Sequence, residues 1–275
     1  MALYRGMDIG TAKPKADEQA LVPHHLIDVI EPHEEFSLAQ YVDAAREAVT
    51  QIESRSRVAL FVGGTPLYLK ALLRGIFEGP PADWALRARW QQVADEQGSA
   101  ALHRELAAVD PQAAEKLHPN DTRRLIRALE VYHLTGTPIS VHQQQFERPI
   151  PREQCRVFQL QWPRPELHRR IDQRVEAMFA AGLVDEVQRL LAAGPLSRTA
   201  AQALGYREVI EYLQGQRSLE ETVALVQQRT RQFAKRQETW FRSLDECRPV
   251  PMHQGIDLEA LAEEIEAAGR EVANT

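Results

Sequence analysis

The order of apolar and polar positions along the chain predicts an α/β core. Residues 26–30 and 58–62 are short apolar runs rich in β-branched side chains, which favours strands. The second run is apolar without a break, as a buried parallel strand is. Ser37 followed three residues later by Gln40 has the form of a capping box and predicts a helix running toward Ile52. Strands that alternate with helices predict a layered core.

The second predicted strand leads directly into a turn and a helix. Gly63 and Gly64 follow the strand, Thr65 is a favourable N-cap residue, and Pro66 is suited to the first helical position. The apolar spacing that follows predicts a helix over residues 67–73.

The middle of the chain shows helical signals alone. Gly79-Pro80-Pro81 and Pro149-Ile150-Pro151 mark two junctions. Between them we predict helices at 84–96, 100–107 and 122–134, and one that opens at Asp110-Pro111. After the second junction a strand at 157–161 and helices at 166–180 and 219–242 are expected. We therefore predict an α/β core of residues 1–78 and 156–275 that carries a helical insertion domain of residues 79–155.

Composition narrows the class of protein. The 275 residues include 33 Lys and Arg against 39 Asp and Glu, a formal charge of −6, which excludes a strongly basic nucleic-acid coating protein but leaves room for a local basic face. Cys155 and Cys247 form no Cys-x-x-Cys pattern, so neither a disulfide framework nor structural zinc is expected. The chain has no apolar run near twenty residues and no apolar leader at its start, which predicts a cytoplasmic protein without a membrane partner.

The turn at Gly63-Gly64-Thr65 is the first candidate for chemistry. Glycines at a helix N-terminus expose backbone N–H groups beside the positive end of the helix dipole, an arrangement that binds phosphate. A tight turn before a capped helix explains the same residues equally well.

Arg170 and Arg174 form a second candidate, because they lie four residues apart on one predicted helix face. Arginines beside a core face can hold a phosphate with a bidentate fork. Asp172 and Glu176 are also near, and ion pairs with them on a solvated surface are the interpretation we favour from these residues alone.

Residues 228–242 form the third candidate. Five basic residues stand against one acid, Glu238, and the local excess of positive charge favours a polyanion such as RNA over a solvated helix face. A smaller basic group, Arg123, Arg124 and Arg127, lies in the predicted insertion. The chain contains no Gly-Lys pair, and therefore no P-loop of the usual type, and no G-x-G-x-x-G or G-x-S-x-G motif.

Taken together, the motifs resemble the tRNA dimethylallyltransferase family, also called tRNA isopentenyltransferase, in order and spacing over nearly the whole chain. The matching segments are Tyr4-Arg5-Gly6-Met7-Asp8-Ile9-Gly10-Thr11-Ala12-Lys13-Pro14, Pro23-His24-His25-Leu26-Ile27-Asp28, Val62-Gly63-Gly64-Thr65-Pro66-Leu67-Tyr68, His118-Pro119-Asn120-Asp121, Arg124 with Arg127-Ala128-Leu129-Glu130, Gly205-Tyr206-Arg207, and Ala234-Lys235-Arg236-Gln237 with Thr239-Trp240.

This resemblance implies a P-loop-type parallel sheet core with a helical insertion domain. It implies transfer of a dimethylallyl group from dimethylallyl diphosphate to N6 of the adenosine next to the anticodon on its 3′ side, with tRNA as partner and Mg²⁺ as cofactor. Such an enzyme flips the adenine into a channel shared with the donor. The chain is expected to act as a monomer.

The resemblance also implies site residues. Thr65 and Arg174 are the expected catalytic residues, and Gly63, Gly64 and Arg174 are expected to hold the diphosphate. No residue is assigned to a metal. Thr65 is also expected to contact tRNA, and the other expected tRNA contacts are Met1, Ala2, Arg87, Arg123, Arg124, Leu125, Ile126, Arg127, Gln202, Ala203, Leu204, Gly205, Tyr206, Arg207, Thr230, Arg231, Gln232, Phe233, Ala234, Lys235, Arg236 and Gln237.

One departure from the family pattern changes the expectation for this chain. Family members begin with a strand and a Gly-x-x-x-x-Gly-Lys-Thr loop, and a second strand ends in an Asp-Ser pair whose Asp is the general base. The chain begins just after the position of that pair, so the expectation is that the first strands are missing and that the chain alone is inactive or nearly so.

Two other functions compete with this interpretation. An RNA-binding protein without catalysis would use the same basic helix and insertion. A nucleotide kinase on a similar core would have no need of the basic residues at 230–237.

Overall fold

Helices dominate the fold. A computed structural model of the chain describes residues 1–77, 79–144 and 149–271. Its elements in chain order are α1 (Ala16–Leu21), α2 (Leu38–Glu53), α3 (Pro66–Arg74), α4 (Trp84–Gln97), α5 (Ser99–Val109), α6 (Pro111–Lys116), α7 (Thr122–Thr135), α8 (Ile139–His142), β1 (Val157–Gln161), α9 (Arg164–Ala180), α10 (Leu183–Ala193), α11 (Arg198–Ala201), α12 (Tyr206–Leu213), α13 (Leu219–Arg242), β2 (Cys247–Pro251) and α14 (Leu258–Glu271).

The chain divides into two compact units. The helical unit runs from Lys70 to Pro149, and the larger unit contains Met1–Leu69 and the chain from Ile150 onward. The helical unit contains α4 to α8. Within its described residues it has no strand, as the sequence predicts for this part of the chain.

Local capping explains where several helices begin. The Ser37 hydroxyl accepts a hydrogen bond from the Gln40 amide at 3.2 Å, and the Gln40 side chain accepts one from the Ser37 amide at 2.8 Å, so the predicted capping box is confirmed. The Asp121 carboxylate accepts from the Arg124 amide at the start of α7. That helix ends at Gly136, whose φ of 70° is the left-handed conformation that glycine adopts without strain.

Two of the predicted strands are wrong. Residues 26–30 contribute only an isolated parallel bridge between Tyr4 and Ile30. Residues 58–62 form no regular secondary structure, and Val58, Leu60 and Val62 are 85%, 85% and 89% exposed. Among the described residues, no hydrogen bond involves the backbone of residues 58–63. A strand requires a hydrogen-bonded neighbour, and the described part of the chain does not provide one there.

The predicted strand at 157–161 is confirmed, and its partner was not predicted. β1 and β2 pair in parallel, with Val157 opposite Cys247 and Gln161 opposite Pro251. β2 reads Cys-Arg-Pro-Val-Pro, and two prolines in five residues argue against a strand. Because β2 pairs with β1 alone in the described structure, these prolines can lie where no amide is needed.

Each unit has its own core. Leu102, Leu106 and Leu125 are completely buried in the helical unit. In the larger unit one cluster is built around Met7 and Tyr206, and a second joins α9 to α13. None of the helices in the described ranges is long and apolar enough to cross a membrane.

Candidate functional site

The turn at residues 63–65 presents three consecutive open backbone amides. Within the described chain, no hydrogen bond is donated by the amides of Gly63, Gly64 or Thr65. The turn leads directly into Pro66, the first residue of α3, so these amides lie at the positive end of a nine-residue helix. Gly63 and Thr65 are exposed. The arrangement suits an anion of the size of a phosphate group.

The same turn touches the basic helix α13. The side-chain amide of Gln237 donates a short hydrogen bond to the Gly64 carbonyl, 173 positions away in the sequence. A Cβ at Gly64 would collide with that side-chain amide, so the close approach requires glycine unless Gln237 moves. Two segments that were separate candidates in the sequence are therefore in contact.

Arg174 lies on α9 without an ion-pair partner among the described residues and is exposed to solvent. The surface ion pairs favoured from the sequence are not formed. Asp172 pairs with Arg231, and Glu176 accepts a hydrogen bond from Gln227 at 3.2 Å.

Arg170 has a different environment from Arg174. Its Nε lies 3.2 Å from the Glu166 carboxylate, and its guanidinium lies 3.9 Å from the centre of the Trp162 ring. Of these two arginines, Arg174 is therefore the one whose guanidinium remains available to a ligand.

The basic residues of α13 fall into two groups. Arg229, Arg231 and Arg242 are paired with Glu208, Asp172 and Glu238 respectively. Lys235 and Arg236 are exposed and have no ion pair with any described residue, although the Arg236 guanidinium lies 5.9 Å from the centre of the Phe233 ring. The positive charge that the helix offers to a partner is thus concentrated at Lys235 and Arg236.

Tyr206 is buried and holds the first loop of the chain. Its hydroxyl donates to Glu186 at 2.6 Å. The same carboxylate accepts from the amides of Asp8, Ile9 and Gly10 at 3.1, 2.8 and 3.3 Å. Burial, together with the Glu186 carboxylate, raises the pKa of Tyr206 well above its ordinary value, so the hydroxyl stays protonated.

The expected tRNA contacts differ in exposure. Those with buried side chains, or buried backbone for glycine, are Leu125, Ile126, Ala203, Gly205, Tyr206 and Thr230. Exposed members are Met1, Thr65, Arg123, Arg124, Gln202, Gln232, Phe233, Lys235 and Arg236. Ala2, Arg87, Arg127, Leu204, Arg207, Arg231, Ala234 and Gln237 are partly buried. The buried members pack inside their own unit and support the exposed ones.

In the helical unit a buried carboxylate organises two of the expected arginines. Glu130 is completely buried, and both Arg87 and Arg127 donate to it. Arg124 is exposed and pairs with Asp121 at 2.8 Å. Arg123 is exposed and has no ion pair with any described residue.

Sequence reasoning gave no role to four buried glutamates, namely Glu130, Glu186, Glu208 and Glu246. Glu208 accepts from the Gly205 amide at 2.7 Å and from Arg207 and Arg229. Their position along the chain could have revealed them, because Glu130 and Glu186 each lie among apolar residues on an inward helix face. A carboxylate there must be hydrogen-bonded, but the sequence does not name its partners.

In the described ranges no group of three or more His, Cys, Asp or Glu side chains is arranged to hold a metal ion.

Residues 2–244 match the family model described as IPP transferase, and the chain belongs to this family. It is therefore a member of a transferase family. One relative, from Rhodopirellula baltica, is named tRNA dimethylallyltransferase and is 51% identical over 249 residues, which are 90% of this chain and 75% of the relative. A relative of the same name from Desulforamulus reducens is 45% identical over 266 residues, 96% of this chain and 94% of the relative.

The fold matches a solved member. The crystal structure of the tRNA isopentenylpyrophosphate transferase of Bacillus halodurans superposes with a TM-score of 0.69 at 37% identity, covering 99% of this chain and 86% of that chain. The mostly helical α/β fold with a small parallel sheet is thus that of the family. Neither the kinase nor the RNA-binding protein without catalysis receives support from these comparisons.

Proposed function

We propose that this chain serves the transfer of a dimethylallyl group from dimethylallyl diphosphate to N6 of the adenosine next to the anticodon of tRNA, on its 3′ side. The proposal is supported by the names of the relatives and by the match of the family model to residues 2–244. The observation that carries it for this chain is the contact between Gly64 and Gln237, which joins an open anion-binding turn to the basic helix.

The diphosphate is assigned to the turn and to Arg174. In the reaction N6 attacks C1 of the dimethylallyl group, the C1–O bond breaks, and the electron pair leaves with the diphosphate. Negative charge grows on the leaving oxygen, and backbone amides with a guanidinium fork stabilise it. Thr65, exposed at the end of the turn, is assigned to the target nucleotide in this proposal.

The proton lost from N6 needs an acceptor. The chain contains neither a Gly-Lys pair nor an Asp-Ser pair, the two features that the family resemblance connects with diphosphate gripping and base chemistry. We therefore expect the chain by itself to bind its substrates but to turn over little or not at all. The role of Mg²⁺ remains an expectation from the resemblance.

The tRNA is assigned to the exposed cations of each unit. On α13 these are Lys235 and Arg236, and in the helical unit they include Arg123. Phosphate contacts of this kind bind many tRNAs alike and weaken as salt concentration rises. Monomeric and cytoplasmic action remain predictions.

The tRNA assignment is tested by binding of a labelled tRNA transcript over a range of salt concentrations. Lys235→Gln and Arg236→Gln should each weaken binding and reduce the slope of log Kd against log salt concentration by about one. Arg55→Gln, an exposed arginine outside the proposed path, is the control and should behave as the unmodified chain does. A chain that binds no tRNA contradicts the proposal.

The donor assignment is tested separately. Arg174→Ala should weaken binding of dimethylallyl diphosphate about tenfold or more, because a charge-assisted hydrogen bond is lost, and should leave tRNA binding unchanged. Incubation of the unmodified chain with tRNA and labelled donor should give little label in the tRNA. Rapid turnover would overturn our expectation that the chain alone is nearly inactive.

A further inference from the structure

Glu130 fixes the first turn of α4 in the helical unit. Its carboxylate accepts hydrogen bonds from Arg87 Nε and Nη2, both at 2.8 Å, from Arg127 Nη1 at 2.5 Å, and from the Asp83 amide at 2.8 Å. Burial alone would raise the pKa of Glu130, but the hydrogen bonds from Arg87 and Arg127 outweigh it and hold the pKa below its ordinary value. The carboxylate is therefore charged when it binds both arginines.

Glu130 holds the Arg87 side chain in place, but part of its guanidinium is still available to a ligand. Two of its nitrogens are fixed on Glu130, whereas Nη1 makes no hydrogen bond within the described chain. Its side chain is 29% exposed. The two guanidiniums together carry one positive charge more than the Glu130 carboxylate neutralises, and the Asp83 carboxylate is engaged in capping α4. A guanidinium fixed in this way loses little conformational entropy when it binds a ligand.

Trp84 stands beside this arginine and faces solvent. It is the first residue of α4 and is 69% exposed, more than any other Phe, Tyr or Trp residue that the structure describes. The Arg87 guanidinium lies 5.1 Å from the centre of the ring. The preceding residue, Asp83, caps the helix by accepting from the Leu86 amide at 2.9 Å and is tied to Glu130 through its own amide.

We propose that Trp84 and Arg87 form a stacking platform for an unpaired base of bound RNA, held in place by Glu130. This inference rests on the proposed function and adds to it a contact in the helical unit. An exposed ring next to a fixed cation matches how proteins bind single-stranded RNA, with a base on the aromatic face and a phosphate at the guanidinium. A single exposed tryptophan is unremarkable, but here its backbone and its cationic neighbour are both anchored by one buried carboxylate.

The first experiment measures binding of a tRNA transcript and of a fully paired RNA duplex to the full chain. Trp84→Ala should raise the Kd for tRNA about 5- to 150-fold, the range for one stacked base, without changing the salt slope. Duplex binding should not change. Trp84→Phe should retain most of the affinity, whereas Trp84→Leu, apolar but without an aromatic face, should not. Leu134→Ala, which removes another exposed apolar side chain of the same unit, is the control.

The second experiment tests whether Glu130 positions Arg87, and the result to read is whether RNA binding becomes weaker or tighter. Glu130→Gln removes a negative charge, so long-range electrostatics alone predicts tighter RNA binding. The platform predicts weaker binding, about fivefold or more, because Arg87 is released. Glu105→Gln makes the same charge change on an exposed face of the same unit and should tighten binding slightly or have no effect. Thermal unfolding of each variant verifies that it is folded.

The outcomes separate the two proposals. If the unmodified chain binds no tRNA, the proposed function fails and the platform fails with it. If tRNA binds and Trp84→Ala equals Leu134→Ala, or Trp84→Leu equals Trp84→Phe, only the platform is overturned. A change in oligomeric state on Trp84→Ala, seen by sedimentation with unchanged tRNA binding, would assign the ring to a contact between two copies instead.

Discussion

Apolar side chains are buried in the helical unit but exposed in the irregular segment of residues 58–62. Leu102 and Leu125 are completely buried between helices, whereas Leu60 and Val62 are 85% and 89% exposed. The difference lies in where the backbone finds its hydrogen bonds. A helix satisfies its own backbone and needs a neighbour only for one apolar face, but a strand needs a neighbour for its backbone as well.

The two regions also differ in how they hold charge. In the helical unit the buried Glu130 forms ion pairs with Arg87 and Arg127, so its contribution to stability depends on groups within that unit. Residues 58–62 form no such ion pairs in the described chain, and just after them the Gly64 carbonyl accepts a hydrogen bond from Gln237. Substitutions should therefore be costly in the first region and cheap in the second.

The largest effect is expected for a core leucine. Leu125→Ala should lower the free energy of unfolding by about 2–5 kcal/mol, because it removes buried methyl groups and leaves a cavity. Leu60→Ala, the same chemical change in the irregular segment, should change the free energy of unfolding by less than about 0.5 kcal/mol. Urea unfolding followed by circular dichroism measures both. Equal effects would show that the contrast between the two regions is not real in solution.

The next effect concerns the buried carboxylate and its pH dependence. Glu130→Gln should lower the free energy of unfolding by about 1–3 kcal/mol at neutral pH. The pKa of Glu130 is lowered in the folded state, so its stabilisation is present above the ordinary glutamate pKa of about 4.3 and is lost as pH falls through the lower folded value. The difference between the unmodified chain and Glu130→Gln should therefore shrink in acid. A difference that stays constant down to pH 3 contradicts this account.

A smaller effect is expected at the turn. Gly64→Ala displaces the Gln237 side chain, which is flexible and can rotate away, so the loss should be that of one hydrogen bond, about 0.5–1.5 kcal/mol. Gln237→Ala should cost a similar amount. The double variant should cost no more than either alone, because both remove the same contact. Additive losses would mean that the two residues act independently.

The smallest effect on stability is expected for a charge introduced into the irregular segment of residues 58–62. Leu60→Lys should change the free energy of unfolding by less than about 0.5 kcal/mol and should reduce aggregation, since an exposed apolar edge favours association between chains. Light scattering at increasing protein concentration measures this. Unchanged aggregation would show that the chains do not associate through this segment.

The sequence predicts the helices well where a local signal marks their ends. The helix predicted at 219–242 coincides with α13, and the capping residue Ser37 is where the spacing places it. The sequence analysis misses β2, because two prolines argue against a strand even though this strand pairs with only one neighbour. It also wrongly assigns a strand to residues 58–62. An apolar run shows that burial would be favourable, but it does not show that a neighbouring strand is present to pair with.

For the candidate site, the residue types follow from the sequence and their use follows from the fold. The excess of basic residues at 228–242 is visible in the sequence. Only the tertiary structure shows that Arg229 and Arg231 form ion pairs with Glu208 and Asp172, whereas Lys235 remains available. The contact of Gly64 with Gln237 and the enclosure of Glu130 join residues far apart along the chain. Capping and helical periodicity act within a few residues and are therefore written in the sequence, whereas ion pairing and strand pairing depend on which distant groups the fold brings within reach.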